Sequence, residues 1–433
     1  MQIKNILILG SGGREEALAD AYSKNKNVKA VFIAPGNGLT GFRNKKVRAL
    51  LDTPVNDFKK ILQASEAHKI DLVDVASDEP LSLGFVDMLQ KEGMHAFGAS
   101  KNAAEIEWNK EWSRDFMKKY KLPIPQYVSF TDSKKAISYI EKLPEQPLYV
   151  KASGLALGKG ALFAANKKEA ISAVMDMKKF GNAGNTFLIE ECMVGEEFSL
   201  FVLCDGKDYV VIGAAQDHKT VFNKNVGPNT GGMGCVFPGL VVTSKIIKEC
   251  EDKIVKPFMK GMIAEERPYS GVLYVGGMIT HTGIKIVEFN ARWGDPEAEV
   301  ILSAIKTDYL SVIEKIIDKK LKGVKITLDQ KTRVSVAGCA SGYPDDYKNV
   351  KGKKIFGLET VSKRALLYGS GIAKHEKNLL VNGGRIFHIV GVGKDVIESR
   401  AQAYSEISKI FIEDNNLHFR TDIGWKDVER KIT

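Results

Sequence analysis

The sequence has little cysteine and no pair of cysteines spaced like a metal or redox motif. Five cysteines are scattered over 433 residues, none in a C-x-x-C arrangement, and their number is odd. This usage argues against a disulfide framework and predicts free thiols in a reducing cytoplasm. The sequence also lacks an apolar run long enough to span a membrane, so no membrane partner is expected. The apolar run in its start, MQIKNILILGSGG, is too short for a signal peptide and indicates a first β-strand.

The positive charge of the chain lacks clustering. Lysine and arginine exceed aspartate and glutamate by a net charge of +10, but the lysines are dispersed and no dense basic run is interleaved with aromatics. A nucleic-acid surface requires such clustering, so no nucleic-acid partner is expected. The hydrophobic content of 44% and charged content of 27% are typical of a soluble globular protein. At this length we expect two to four domains.

Residues 1–100 alternate short apolar runs with helical ones, which predicts a doubly wound parallel sheet. The turn after the first strand, GSGGRE, resembles a dinucleotide fingerprint, but Glu15 occupies the third glycine position and no acidic residue ends the second strand. NAD is therefore not expected. The turn, with Arg14, can face a phosphate group, although a tight turn with no ligand explains it as well. Asp78 and Glu79 follow a later strand, where such sheets bind ligands; a helix cap is the alternative for Asp78.

A glycine-rich loop, Gly154 to Gly160, follows the strand that ends at Lys151. It is not a Walker A loop, because only three residues separate Gly154 from Gly158 and a strand comes next. We expect it to join two strands as a lid that closes over phosphates, with Lys159 in the loop. Further on, carboxylates at Glu190, Glu191 and Glu197 could accept from an adenosine amino group and ribose hydroxyls, although acids at such positions are more commonly surface residues.

The polar, glycine-rich segment 216–238 is predicted to be a long loop without regular elements, and loops of this length in compact domains are usually functional. It opens with Asp217, His218 and Lys219 and contains the run GPNTGGMG. An isolated histidine such as His218 is more often structural than catalytic.

The strand KIVEFN places Glu288 and Asn290 two residues apart, so both side chains are expected on one face. A carboxylate and an amide oxygen form a hard, oxygen-only half-shell that suits Mg²⁺ and leaves positions for phosphate oxygens. Arg292 adds a fixed cation. The alternative is an edge strand whose polar face meets water. After Gly294, Asp295 is predicted to cap a helix that has Pro296 in its first turn.

Beyond about residue 326 the patterns indicate a mostly β region with a closing helix, and no internal repeat is present. The expected domains are residues 1–100, residues 101–325 with a lid subdomain at about 122–192, and residues 326–433.

Ten motifs occur in order along nearly the whole chain, and together they resemble the phosphoribosylamine-glycine ligase family of the ATP-grasp superfamily. They are GGRE, KASGLALGKG, IEE, QDHK, GPNTGGMG, the LY strand, VEFNARWGDPE, SGYP, NGGR and RTDIGW. Each is modest alone, whereas the ordered set is highly specific. The resemblance implies an α/β fold: an N-terminal doubly wound parallel sheet that binds substrate, central ATP-grasp domains and a C-terminal mostly β domain.

The resemblance also implies ligation of glycine to 5-phosphoribosylamine at the expense of ATP, through glycyl phosphate, in purine biosynthesis, with Mg²⁺ or Mn²⁺ as the metal. The catalytic residues implied are Arg292, Lys151 and Asp217. The residues implied to hold ATP are Lys110, Lys151, Gly158, Lys159, Gly160, Glu190, Glu191, Met193 and Glu197. The metal ligands implied are Glu288 and Asn290. The residues implied to bind the other substrates are Gly13, Arg14, Glu15, Asp78, Asn229, Thr230, Gly231, Gly232 and Arg385.

Several positions depart from the family pattern. Glu16 replaces a histidine, Asp78 a glutamate, Ser153 an aspartate and Thr220 an arginine, and Ala298-Glu299 replace Thr-Gln. The ATP and metal set is intact, and most departures fall on the sugar-phosphate side. A divergent ATP-grasp ligase with another amine or carboxylate is therefore the alternative. The chain is expected to be a cytoplasmic monomer or weak homodimer that acts on small molecules.

Overall fold

The fold is that of a computed structural model, which describes residues 3–155 and 160–432. Gly158 and Lys159 of the predicted lid lie outside the described residues. Within the described ranges, no helix is both long and apolar enough to cross a lipid bilayer. All five cysteines are unpaired.

The N-terminal sheet is parallel throughout, in the order β3-β2-β1-β4-β5. Alternate residues of β1 are buried on opposite faces, Ile6 and Ile8 in one apolar core and Leu7 and Leu9 in another, because helices cover both faces. The predicted doubly wound sheet is confirmed. Strand β3 was not predicted, since three residues carry too little pattern. The strands β1 to β5 are Asn5–Gly10, Ala30–Pro35, Val47–Ala49, Leu72–Asp74 and His95–Phe97.

The helices of the described ranges are distributed along the whole chain. Helix α1 and helix α12 cover one face of the N-terminal sheet, and α2 to α5 cover the other. The helices α1 to α14 are Gly13–Ser23, Phe58–Ala67, Asp78–Leu83, Phe85–Lys91, Lys101–Trp108, Lys110–Lys119, Ser133–Lys142, Lys167–Asp176, Ser244–Cys250, Lys256–Ala264, Glu297–Ile301, Tyr309–Ile317, Val396–Ile407 and Trp425–Ile432.

A small antiparallel sheet, in the order β6-β9-β7-β8, follows in the chain and packs its own core against α7 and α8. Strands β7 and β8 pair directly, so the glycine-rich loop joins two strands, as predicted. The strands β6 to β9 are Tyr127–Phe130, Leu148–Ala152, Ala161–Ala164 and Phe187–Glu191.

The largest sheet runs in the order β16-β15-β10-β11-β14-β17-β22-β19. Because β14 pairs with β17, the sheet continues past residue 326 into the C-terminal region. The strands β10 to β16 are Gly195–Asp205, Tyr209–Asp217, Thr220–Phe222, Val226–Asn229, Gly234–Phe237, Ser270–Thr280 and Gly283–Asn290.

The C-terminal region is rich in strands, and α13 packs on β17 and β22. A separate antiparallel sheet has the order β20-β21-β18-β23. The predicted α/β fold with a mostly β C-terminal region is confirmed; the terminal α14 was not predicted. The strands β17 to β24 are Thr332–Ala340, Lys354–Phe356, Leu366–Gly369, Ile372–His375, Asn378–Val381, Arg385–Gly393, Phe411–Ile412 and Leu417–His418.

Two local predictions and one of the alternatives were wrong. The segment 216–238 is not a loop without elements, because β12, β13 and β14 lie within it. Helix α11 begins at Glu297 with Pro296 as its N-cap, so Asp295 does not cap it; Asp295 instead pairs with Arg385 at 2.9 Å. Helix α3 begins at Asp78 with Ser77 at its N-cap, so Asp78 is not the cap.

Candidate active site

A cavity of about 250 Å³ lies between the small sheet and the largest sheet. Strands β7 and β9 line it on one side, and β10, β11, β15 and β16 on the other. The helix α6 contributes Lys110. The predicted site residues that line this cavity are Lys110, Lys151, Gly160, Glu190, Glu191, Met193, Glu197, Asp217, Asn229, Thr230, Gly231, Glu288, Asn290 and Arg292.

Glu288 and Asn290 face the same cavity from β16, as their spacing predicted. Asn290 is 7% exposed; its amide oxygen accepts from Arg292 Nη2 at 3.3 Å, and its amide nitrogen has no hydrogen-bond partner. Burial raises the pKa of Glu288, but Lys219, Lys110, Lys151 and Arg292 outweigh it and hold that pKa below its usual range. The carboxylate is therefore ionised, and this oxygen donor set fits a hard divalent cation.

Lysines from three elements converge on Glu288. Lys110 is at the first position of α6, Lys151 is on β7 and Lys219 follows β11. Lys219 pairs with Glu197 at 2.7 Å. Lys219 was not predicted as a site residue, although its place two residues after Asp217 in QDHK was a usable signal. Such a group of cations fits a polyphosphate.

Glu190 anchors Lys151 rather than standing free in the cavity. Its carboxylate contacts Lys151 Nζ at 2.6 Å and Arg114 Nε at 2.6 Å, and the residue is only 2% exposed. Burial raises its pKa, but the two cations prevail and lower the pKa of Glu190 to about 2. Arg114 also donates to the carbonyl of Val287 at 2.7 Å. The pairs therefore tie the small sheet to β16, next to Glu288.

Asp217 is half-buried, and one oxygen of its carboxylate is buried without a hydrogen-bond partner. Burial and the nearby Glu297 raise the pKa of Asp217 well above its usual range. Glu297 accepts from the hydroxyls of Ser199 and Tyr274, both at 2.8 Å. Next to Asp217, Gly232 has φ of +117°, and a Cβ there would collide with Pro296. A glycine is thus required at position 232, where the loop passes next to Asp217.

His218 is structural, which agrees with the sequence-based expectation for an isolated histidine. Its Nε2 accepts from the backbone N–H of Gly424 at 3.0 Å, and burial lowers the pKa of His218 to about 3. The neutral ring therefore joins β11 to the C-terminal segment.

The N-terminal turn lies beside the cavity but does not line it. Glu15 accepts from the Gly12 N–H at 2.7 Å and from Arg14 Nε at 2.6 Å, so the hydrogen bonds of this carboxylate stabilise the turn to which it belongs. Arg14 also donates to the carbonyl of Trp293 at 3.2 Å. Asp78 lies 3.9 Å from Arg292 Nε. Arg292 therefore connects this turn and α3 with the cavity.

Arg292 is held by Glu107, a residue not predicted from the sequence, whose Oε1 is 2.9 Å from Arg292 Nη2. Burial opposes the charge, but Glu107 and then Asp78 raise the pKa of Arg292. Arg292 is therefore a permanent cation at the junction of the cavity and the N-terminal turn.

Arg385 lies on the other side of the glycine-rich segment. It donates to the carbonyls of Gly231 and Asp295, both at 2.8 Å, and pairs with the Asp295 carboxylate. Arg385 thus holds the loop of Asn229 and Thr230, which itself lines the cavity. The structure does not bring Arg385 into the cavity, and it places no described contact between Arg385 and Asp78.

Three of the departures from the family pattern, Glu16, Ser153 and Thr220, have local hydrogen-bond partners. Glu16 accepts from the Thr40 hydroxyl and from Asn37 at 3.3 Å, and burial raises the pKa of Glu16 to about 8. Ser153 accepts from the N–H of Glu111 at 3.0 Å and so supports the start of α6. The backbone and hydroxyl oxygens of Thr220 both accept from the buried Arg420.

The fold and the cavity define the chain as an ATP-grasp enzyme. The model of the ATP-grasp (A) domain of phosphoribosylglycinamide synthetase matches residues 108–298, and the models of its N and C domains match residues 4–107 and 333–426. The chain belongs to the phosphoribosylglycinamide synthetase family. As a member of this family it is an ATP-dependent carbon–nitrogen ligase, and the predicted enzyme class is confirmed.

Relatives match over nearly their whole length. A phosphoribosylamine–glycine ligase of Caldanaerobacter subterraneus subsp. tengcongensis is 37% identical over 97% of this chain and 99% of its own. One of Streptococcus pneumoniae is 38% identical over 98% of this chain and 100% of its own. The crystal structure of the Thermotoga maritima phosphoribosylamine–glycine ligase is similar with a TM-score of 0.81 at 29% identity, covering 97% of this chain and 100% of that one.

Proposed function

We propose that the chain joins glycine to 5-phosphoribosylamine, with ATP as the energy source, and so makes glycinamide ribonucleotide, ADP and phosphate in purine biosynthesis. The observation that carries the proposal is the convergence, in one cavity, of several cations with an ionised carboxylate and a neighbouring amide. The family and the names of its relatives supply the substrates. The residues that converge are Lys110, Lys151, Lys219, Glu288, Asn290 and Arg292.

The reaction has two steps. A carboxylate oxygen of glycine attacks the γ-phosphorus of ATP, the bond to the β–γ bridging oxygen breaks, and glycyl phosphate and ADP form. The amine of phosphoribosylamine then attacks the carbonyl carbon, phosphate leaves, and the amine loses a proton. Both nucleophile and phosphate are anionic in the first step, so the site must offset their repulsion with fixed positive charge. Lys151 and Arg292 are placed to do this because acidic partners hold both in position.

Glu288 and Asn290 would hold Mg²⁺, or Mn²⁺ in its place. When bound, the metal would act as a Lewis acid that offsets negative charge on the phosphate groups. The support for this assignment is the ionised carboxylate beside an amide on one strand face. Lys110 and Lys219, whose charges also act on Glu288, would contact phosphate oxygens directly.

Glycine is proposed to lie between Arg292 and the loop Asn229 to Gly232, with Asp217 at its border. Arg292 can pair with the glycine carboxylate, and the loop offers the side-chain amide of Asn229. Closure of the lid 154–160 would exclude water, which glycyl phosphate requires because acyl phosphates hydrolyse readily.

The adenosine end of ATP is proposed to lie against Glu191 and Met193, with Glu197 near the ribose. Phosphoribosylamine is proposed to approach from the N-terminal side, where Gly13, Arg14, Glu15 and Asp78 lie beside Arg292. Each of these two regions contains an ion pair: Glu197 with Lys219 on the adenosine side, and Glu15 with Arg14 on the N-terminal side.

The test is a coupled assay of ADP release with glycine and freshly made phosphoribosylamine. We expect ADP only when both are present, and none from a Glu288→Gln variant that controls for contaminating ATPases. The competing function is a related ligase with another amine or carboxylate, which the replacements at residues 16 and 220 favour. Turnover with another pair but not with glycine and phosphoribosylamine would establish it.

The protein is proposed to work in the cytoplasm as a monomer or weak homodimer on small-molecule substrates. The unpaired state of all five cysteines is compatible with a reducing compartment. Sedimentation over a range of concentrations checks the oligomeric state.

A further inference from the structure

Behind the loop Asn229 to Gly232, three side chains from the α11 region and β22 meet in the interior. Asp295 precedes α11, Glu299 is in α11 and His388 is on β22. One ligand atom from each lies within 4.8 Å of the other two. His388 Nε2 is 3.4 Å from Asp295 Oδ1 and 3.8 Å from Glu299 Oε1. These separations are at or beyond the limit of good hydrogen bonds, so the three groups face one another without satisfying one another.

Two of the three side chains are completely buried and unpartnered. Glu299 and His388 are both 0% exposed. Neither carboxylate oxygen of Glu299 and neither ring nitrogen of His388 has a hydrogen-bond partner among the described residues. Burial of an unpaired polar group is costly, and native interiors contain few of them. These unpaired ligand atoms therefore indicate a binding partner that is not part of the protein chain.

The charges of the cluster do not balance. Arg385 pairs with Asp295 at 2.9 Å, so this arginine offsets one carboxylate. Among the described residues, no lysine or arginine lies within 4 Å of the Glu299 carboxylate. A small cation between the three side chains would supply both the missing charge and the missing ligand contacts.

We propose that Asp295, Glu299 and His388 form a second divalent-metal site, distinct from Glu288 and Asn290, that takes a first-row transition ion such as Zn²⁺. The ligand set of one imidazole and two carboxylates suits such an ion better than Mg²⁺, which prefers oxygen alone. Tetrahedral Zn²⁺ with bonds of about 2.0–2.2 Å separates its ligand atoms by about 3.4 Å. The observed 3.4 and 3.8 Å are close to this spacing.

The surroundings are closely packed, which favours an occupant as small as an ion. The N-terminal turn closes over the cluster: a Cβ at Gly13 would collide with Glu299 and lie 2.8 Å from His388 Cδ2. A Cβ at Gly12 would lie 3.0 Å from Asp295 Oδ2. A bound ion would thus connect the N-terminal turn, α11 and β22. It would also fix Asp295, the partner of the Arg385 that holds the loop Asn229 to Gly232. The site is structural and does not depend on which substrates the ligase uses.

The test uses the full-length, tag-free protein, stripped of metal with a chelator and then titrated with Zn²⁺ or Co²⁺ in excess Mg²⁺, which saturates the Glu288–Asn290 pair. We expect binding of about one equivalent, a melting temperature that rises with free Zn²⁺, and visible bands of tetrahedral Co²⁺ without a thiolate charge-transfer band. His388→Gln and Glu299→Gln should abolish these signals. His281→Gln, in an exposed turn, and Glu288→Gln should keep them.

Absence of Co²⁺ bands in the unaltered protein would overturn the proposal even if every variant misfolds. Binding that persists in His388→Gln, or that shows a thiolate band, would overturn it as well. A melting temperature that rises in Glu299→Gln, with no metal bound by the unaltered protein, would mean that Glu299 and His388 share a proton instead.

Discussion

Replacing Glu190 by glutamine tests whether this residue anchors the catalytic lysine. The change keeps the size of the side chain but removes the charge that pairs with Lys151 and Arg114. Two cations would then remain buried beside a neutral amide. Breaking a buried ion pair in this way typically costs about 3–5 kcal/mol.

The pKa of Glu190 gives an independent magnitude. Its displacement from 4.5 to about 2 corresponds to about 3 kcal/mol of folding free energy, in agreement with the first figure. Because the folded-state pKa is the lower one, this contribution is complete above the unfolded pKa and is lost as pH falls toward 2. At about pH 3.5, roughly 1 kcal/mol of it should already be gone.

The assay is urea unfolding of the unaltered protein and of Glu190→Gln, monitored by tryptophan fluorescence because Trp112 lies in the same helix as Arg114. Glu191→Gln is the matched control, because its side chain is exposed at the next position. We expect a loss of about 3 kcal/mol near neutral pH for Glu190→Gln alone, shrinking on acidification. A Glu190→Gln protein of unchanged stability that binds ATP weakly would refute this reasoning and make Glu190 a nucleotide contact.

Three further predictions concern the metal pair, an interior acid and the amine side. Glu288→Gln should lower ADP formation by about 100-fold or more, because loss of a metal ligand affects charge neutralisation in transfer; restored activity at high Mg²⁺ alone would point to weak binding instead. Glu16→Gln should raise the melting temperature, and the rise should grow between about pH 5 and about pH 8. The pKa of Glu16 is about 8 in the folded state and 4.5 without burial, so the stability that its protonated form contributes is present below 4.5 and is lost as pH rises. A difference in melting temperature that stays constant over this range would contradict the raised pKa. Arg385→Ala should raise the KM for phosphoribosylamine about tenfold and change that for ATP little, because the family resemblance assigns Arg385 to the amine substrate and it lies outside the nucleotide cavity; equal weakening of both would show that this assignment is misplaced.

Much of the fold was predictable because its signals are local. The alternation of apolar strands and helices over residues 1–100 predicted the parallel sheet, and the two-residue spacing of Glu288 and Asn290 predicted that they share a face. Strands β12 and β13 were not predictable, since strands of three or four residues in a polar, glycine-rich segment show no hydrophobic period.

The partners of the site residues could not be predicted from spacing. Arg114 and Glu190 are 76 residues apart, and only the packing of α6 against β9 brings them together. Similarly, Asp295 carried the sequence signature of a helix cap, but tertiary contact with Arg385 prevails over that local preference. The roles of the individual site residues therefore remain predictions, whereas the fold and the enzyme class are confirmed.

The most direct test of the central claim, that this cavity lets ATP phosphorylate the carboxylate of glycine, is an oxygen-transfer measurement. Glycine labelled with ¹⁸O in its carboxyl group is turned over with ATP and phosphoribosylamine, and the released phosphate is analysed by mass spectrometry. The account predicts that each phosphate released carries one carboxyl oxygen, while ADP carries none. Unlabelled phosphate formed at the rate of ligation would contradict it.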